Sequence, residues 1–303
     1  MLLREFDEIR SLALLLLCYG LIFFLLFDPI GLPLWLRMIS IIPLITLHSS
    51  LQHEFLHGHP FKNQHLNDLL AYPSMGIFVP YLRFKETHLK HHNNQIISDP
   101  YEDPESWYLA PEDWQRKSSL TKAMLTFNNT LFGRILIGPA LSQIKFAFCE
   151  LYHGNIKVKA TWFCHFIVMA GYIWLIHKYT SMPIWAYFIC CYFGLSLLGI
   201  RTFLEHQASD HILARTVIIE KQGILSFLFL NNNFHSVHHA YPALAWYRIP
   251  ALFQRNRKRF LGQNHRYHFR SYGQIFRKYF FTPKEPVCYP VALKPDTQTT
   301  SSQ

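Results

Sequence analysis

Eighteen histidines stand in this 303-residue chain, and eight of them fall into three short runs. They are His53 and His57 in HEFLH, His88, His91 and His92 in HLKHH, and His235, His238 and His239 in HSVHH. An α-helix brings positions i, i+3 and i+4 onto one face, whereas on a strand i+3 points away from the other two. Each run can therefore aim its imidazoles at one point only if it is helical. A closed zinc site uses four ligands and other metals take up to about six, so eight imidazoles ask for two metal ions. His206, in RTFLEHQ, is a ninth candidate. His59 and His211 are spare ones. His48, His65, His153, His165, His177, His265 and His268 have no partner at helical spacing and read as structural or surface residues.

The elements that must hold these histidines are apolar. Half of the residues are hydrophobic and 16% are charged, against roughly 25% charged in a soluble domain, so lipid is the solvent for much of the chain. A mean hydropathy of only +0.07 requires a large polar portion beside the spans. Four runs approach the roughly 20 residues that cross a bilayer core: residues 11–27, 33–51, 160–176 and 183–204. Arg37 lies close enough to the start of the second to snorkel outward, and Arg201 marks the far end of the fourth. The weaker run 69–82, broken by Pro73, Gly76 and Pro80, reads as a re-entrant or interfacial hairpin. Gly171, Gly194 and Gly199 allow close helix approach. The pattern predicts an all-α integral membrane protein: a four-span helical bundle whose cytoplasmic helical cap carries a histidine-rich di-metal centre. No repeat or linker divides it, so residues 1–296 form one domain and residues 297–303 a disordered polar tail.

Lysine and arginine are sparse in residues 28–32 and 177–182 and concentrated after residues 51 and 204. That bias puts the two short loops outside, and both termini and all three histidine runs on the cytoplasmic side. The acidic residues Glu5, Asp7 and Glu8 and the lack of a cleavage site after Phe27 favour a retained first span over a signal peptide. The six cysteines form no CxxC pair and no disulfide framework, which suits a reducing compartment.

HEFLH, THLKHH, NFHSVHH and the FLEHQ histidine, with four spans around them, resemble the membrane fatty acid desaturase family over most of the chain, from the second span to about residue 250. The resemblance implies a di-iron centre beneath a four-span bundle, with O₂ as co-substrate. It carries over His53, His57, His88, His91, His92, His206, His235, His238 and His239 as metal ligands, with no catalytic residue separate from them. Where the family often has a water-binding polar residue one turn before the lone histidine, this chain has Thr202.

The implied reaction is O₂-dependent introduction of a double bond into a fatty acyl chain carried by a phospholipid, CoA or an acyl carrier protein. Removing hydrogen from an unactivated methylene needs a strong oxidant, which non-haem iron with nitrogen ligands and open positions can generate. Electrons come from an external carrier such as a ferredoxin or cytochrome, because the chain has neither a G-x-G-x-x-G nor an HPGG haem motif. Glu54, Glu86, Glu205, Asp99 and Asp210 are near enough in sequence to take the second N–H of a ligating imidazole. Asn231, Asn232 and Asn233 could cap the HSVHH helix or orient it. The acidic loop 99–108, DPYEDPESWY, either covers the centre or is plain surface. Arg255, Arg257, Lys258, Arg259, Arg266, Arg270, Arg277 and Lys278 suit an anionic membrane face or an acidic partner. Nucleic acid is excluded because no recognised module accompanies that charge.

Two other functional classes remain open on the same residues. Hydroxylation or ketolation of an acyl chain, lipid or carotenoid uses the same scaffold. A non-enzymatic histidine-rich metal- or haem-binding membrane protein would also fit, and would exchange metal without consuming O₂. HEFLH alone matches the H-E-x-x-H of zinc proteases, but that reading leaves both HxxHH runs without a role.

Overall fold

The computed structural model describes residues 8–93 and 95–291; Arg4, Glu5, Asp7 and the expected tail at 297–303 lie outside the described residues. In chain order the helices are α1 (Ile9–Phe27), α2 (Leu34–Leu56), α3 (Gln64–Ala71), α4 (Tyr81–His91), α5 (Pro111–Arg116), α6 (Ser119–Asn128), α7 (Leu131–Leu136) and α8 (Gly138–His153). They continue with α9 (Ile156–Tyr179), α10 (Ile184–Thr202), α11 (Ile224–Leu228), α12 (His235–Ala240), α13 (Ile249–Arg255), α14 (Arg257–Gln263) and α15 (Tyr272–Tyr279). Helix dominates the described residues, at 65%. One departure from all-α is a parallel pair of two-residue strands, β1 (Ile218–Ile219) and β2 (His268–Phe269).

Four helices, α1, α2, α9 and α10, are long and apolar enough to cross a membrane. Large apolar side chains such as Leu17, Phe27, Trp35, Ile39, Phe163, Trp174 and Trp185 stand exposed on them, as a lipid-facing surface requires. Helix α2 runs five residues past the expected end, through Leu56, so the first histidine run lies on its final turn. The apolar pattern stops at Leu51 because the next three side chains are polar and meet polar partners, Gln52 donating to the Ala71 carbonyl at 2.8 Å, while the backbone hydrogen bonds continue. Arg37 does not snorkel. It is buried, donates to the Leu25 and Leu26 carbonyls at 2.7 and 2.9 Å and pairs with Asp28 at 3.5 Å, which satisfies the open carbonyls ending α1.

Helices α2 and α10 pack closely at Gly194. A Cβ there would sit 2.7 Å from Ile45 Cγ2, and the Thr46 hydroxyl donates to the Gly194 carbonyl at 2.9 Å. Gly199 makes only ordinary contact and Gly171 faces open space, so close approach explains one glycine of the three.

The weak apolar run becomes the end of α3 and a non-helical segment, residues 72–80, leading into α4. Met75 and Ile77 are buried there. Their carbonyls are held by side chains of the spans: Tyr187 Oη donates to Met75 at 2.7 Å, Cys191 Sγ lies 3.5 Å from the same oxygen, and His165 Nε2 donates to Ile77 at 2.8 Å. Irregular backbone among apolar helices is tolerated when its polar groups are met in this way. A second apolar cluster, Ile218, Phe234, Val237, Ile249, Phe253 and Phe260, seats α12 against β1, α13 and α14.

Candidate metal centre

Each histidine run is helical where it matters. His53 lies in α2 and His57 caps its C-terminus; His88 and His91 lie in α4 with His92 as its C-cap; His235, His238 and His239 lie in α12. His206 follows α10 in an extended stretch bridged to Thr216. The nine side chains gather into two adjoining groups. One holds His53, His57, His88, His92 and His238; the other holds His91, His206, His235 and His239. Ligand atoms within each group lie within 4.8 Å of one another. The groups touch through the stacked rings of His92 and His239, with centroids 4.3 Å apart. The partition into sets of five and four is not legible in the sequence, because neighbours such as His91 and His92 go to different sets.

Carboxylates and an amide fix the imidazoles from behind. His88 Nδ1 donates to Glu105 at 2.8 Å and His91 Nδ1 to Asp103 at 2.7 Å. Asn232 gives its amide N–H to Glu205 at 3.1 Å, so its oxygen must accept from His235 Nδ1 at 3.0 Å. Glu205 in turn pairs with buried Arg201 at 2.8 Å. In the neutral imidazole, with the proton on Nδ1, the Nε2 of His88, His91 and His235 is a bare lone pair aimed inward.

Those inward nitrogens meet one another at separations that hydrogen bonds alone cannot satisfy. His206 Nε2 lies 2.8 Å from His91 Nε2 and 3.0 Å from His235 Nε2, and one proton cannot serve both along the line of each contact. In the other group His88 Nε2 is 3.2 Å from His57 Nε2 and 3.0 Å from His92 Nε2, and His92 Nε2 is 3.1 Å from His238 Nε2. His53 Nε2 is buried with no hydrogen-bond partner. With metal–imidazole bonds of about 2.1 Å, separations of 2.8–3.2 Å subtend about 85–100° at an ion. A tetrahedral ion would hold the nitrogens about 3.4 Å apart. The donor sets therefore fit two ions of five- or six-fold coordination.

Electrostatics favour the ligating form. Burial pushes His57, His206, His235, His238 and His239 well below the usual imidazole range and His92 down to about 2, and neighbouring histidines push the same way. Burial lowers His88 as well, against the pull of Glu105. His91 is the exception: burial lowers it, but Glu105 and Asp103 outweigh burial and hold it up at about 9. Burial would raise Glu105, yet His91 and His88 keep it well below the carboxylate range.

Of the five acids considered from sequence, Glu205 stands behind the centre. Glu86 pairs with Arg83, Asp99 caps the backbone N–H groups of Tyr101 and Glu102, Asp210 is exposed, and Glu54 accepts from the Trp246 backbone at 3.1 Å. Asp103 and Glu105 were missed. They sit in the 99–108 loop, which closes over the histidines, and the available signal was two acids flanking Pro104 just after the second run. The three asparagines do not cap α12, whose N-cap is Phe234; Asn232 orients His235 instead. The spare candidates stay apart. His59 joins Glu8 and Glu54, and His211 packs on exposed His265. Thr202 closes α10.

A later segment locks the centre from the side. Lys284 donates to the His206 carbonyl at 2.8 Å, and the chain around it pairs with the Asn129 and Leu109 backbones. A small cleft of about 40 Å³, lined by Ile212, Leu213, Ser236, Ala240, Phe260 and Gln263 among others, reaches His239 from outside.

Against known proteins, a family model described as "Fatty acid desaturase" matches residues 29–271. No curated protein matches the chain.

Proposed function

The chain belongs to the fatty acid desaturase family, and from that premise we propose that it is a membrane di-iron oxidoreductase introducing a double bond into a fatty acyl chain. The observation that carries the reading is the pair of imidazole groups, five and four, with inward nitrogens at metal-bridging separations. Balanced, the reaction takes two hydrogens from adjacent methylenes, with O₂, two electrons and two protons, and yields an alkene and two waters. Two iron ions held by these histidines would supply the oxidising power for removing hydrogen from an unactivated methylene.

The ligands in this reading are His53, His57, His88, His92 and His238 for one ion and His91, His206, His235 and His239 for the other. Five and four nitrogens leave positions open on ions that take about six ligands. Asp103, Glu105 and the Glu205–Asn232 pair hold the imidazoles in the tautomer that aims Nε2 inward. Burial keeps competing water and protons away from the nitrogens. The whole assembly, residues 1–296, acts as one domain with the centre and both termini on the cytoplasmic side, as the lysine and arginine distribution supports. An external one-electron carrier delivers the electrons, and a phospholipid, acyl-CoA or acyl carrier protein presents the chain.

Expression in a bacterial host, with total lipids compared by mass spectrometry against His88→Ala and His239→Ala controls, tests the reaction. A histidine-dependent loss of two hydrogens from an acyl chain supports desaturation. A histidine-dependent gain of one oxygen moves the reading to hydroxylation, which the same scaffold accommodates.

A further inference from the structure

Outside the two histidine groups lies a third cluster of donors: Glu8, Glu54 and His59. All three are buried, at 2%, 6% and 1% exposure. His59 Nδ1 lies 2.8 Å from Glu8 Oε1 and 4.0 Å from Glu54 Oε1. The second oxygen of Glu8 is buried with no hydrogen-bond partner among the described residues, although a buried carboxylate oxygen ordinarily has one. We infer that Glu8, Glu54 and His59 form a third metal site, for a divalent cation such as Zn²⁺, Mn²⁺ or Fe²⁺, distinct from the two histidine groups.

Donor chemistry and geometry both point there. A donor set of two oxygens and one nitrogen suits these metals. Around an ion with bonds of about 2.0–2.2 Å, a 2.8 Å separation fits neighbouring ligand positions and a 4.0 Å separation fits nearly opposite ones.

The local backbone separates this cluster from its neighbours. Gly58, between His57 and His59, has φ 95, a left-handed conformation that favours glycine. The reversal sends His57 to the group of five and His59 the other way, to Glu8 at the N-cap of α1. A cation there would fasten the start of the first span to the last turn of the second, beside the first histidine run. Arg10, two residues on from Glu8, has its guanidinium over the Tyr247 ring, 4.9 Å from the centroid.

The test is metal stoichiometry on the purified full chain, which reads the site without reference to activity. Wild type should carry three metal equivalents, and Glu8→Gln or His59→Gln two. His239→Ala should lose metal from the histidine groups and keep the third ion. Equal metal content in wild type, Glu8→Gln and His59→Gln would overturn the site and leave His59 and Glu8 as a simple hydrogen-bonded pair. Should Glu8→Gln fail to fold, Zn²⁺ titration of metal-stripped wild type decides: three tight equivalents support the site and two overturn it. Failure of the histidine centre looks different, because His239→Ala would then match wild type while Glu8→Gln still lost one equivalent.

Discussion

Replacing Asp103 by Asn should weaken one metal ion and spare the other. Asp103 Oδ1 accepts from His91 Nδ1 at 2.7 Å and from the Glu105 backbone at 2.9 Å, while Oδ2 accepts from the Ser98 backbone at 2.8 Å. An amide has one oxygen, so whichever way it turns its NH₂ faces a donor. In the milder orientation the Ser98 N–H is left unmet, at about 1–3 kcal/mol for a buried group, and His91 bonds a neutral acceptor in place of an ionised one. Loss of such a support typically lowers metal affinity about 10–100-fold, or about 1.4–2.8 kcal/mol. Asp103 has a side chain 1% exposed, which places its effect toward the upper end. Glu105 supports His88, in the other group, with a side chain 31% exposed, so Glu105→Gln belongs near the lower end, about tenfold. The assay is a competition titration of purified protein against a chelator, resolved into two phases. Each single variant should shift mainly one phase, Glu105→Gln moving the second only slightly through its 4.0 Å approach to His91 Nε2, and the double variant should shift both. A single variant that moved both phases equally, or a double variant that moved only one, would refute the assignment of the two acids to different ions.

Other outcomes follow from the same geometry. His88→Ala or His92→Ala should remove the ion of the five-histidine group, and His239→Ala that of the four-histidine group, each with loss of turnover; full activity in any of the three, measured by lipid mass spectrometry, would remove that residue from the ligand set. Gly194→Ala should cost about 1–3 kcal/mol through overpacking of α2 on α10, seen as a lower melting temperature in detergent. Tyr187→Phe deprives the Met75 carbonyl of its shorter bond, 2.7 Å, and should cost about 1 kcal/mol in the same melt. Stripping the metals should lower the melting temperature as well, since an ion at about 100 times its Kd contributes about 2.7 kcal/mol.

The histidine runs were legible because i, i+3, i+4 spacing has one sensible conformation, and the spans because about 20 apolar residues have few other uses. The span ends were read less well. Hydropathy stops where side chains turn to polar partners, as at Gln52, His53 and Glu54, though α2 continues to Leu56. Asp103 and Glu105 escaped because a loop has no period from which to infer facing. The burial of Arg37 is not legible in the sequence, which does not show that the carbonyls of Leu25 and Leu26 are within its reach. The partition of ligands depends on tertiary approach, since His238 and His239 are adjacent in sequence and serve different groups.

Residues 72–80 have a consequence for the order of assembly. This stretch is synthesised before α9 and α10, yet the side chains that hold the Met75 and Ile77 carbonyls, Tyr187, Cys191 and His165, all come from those later helices. Until the second hairpin arrives, the carbonyls must remain in water, so the segment cannot settle between the helices on its own. The same arrival delivers His206, and α12 follows with His238 for one group and His235 and His239 for the other. Neither imidazole set is complete while the first half of the chain stands alone. Under the proposed function, metal capture would then wait for the docking of α9 and α10, sparing a half-made chain a premature redox-active centre.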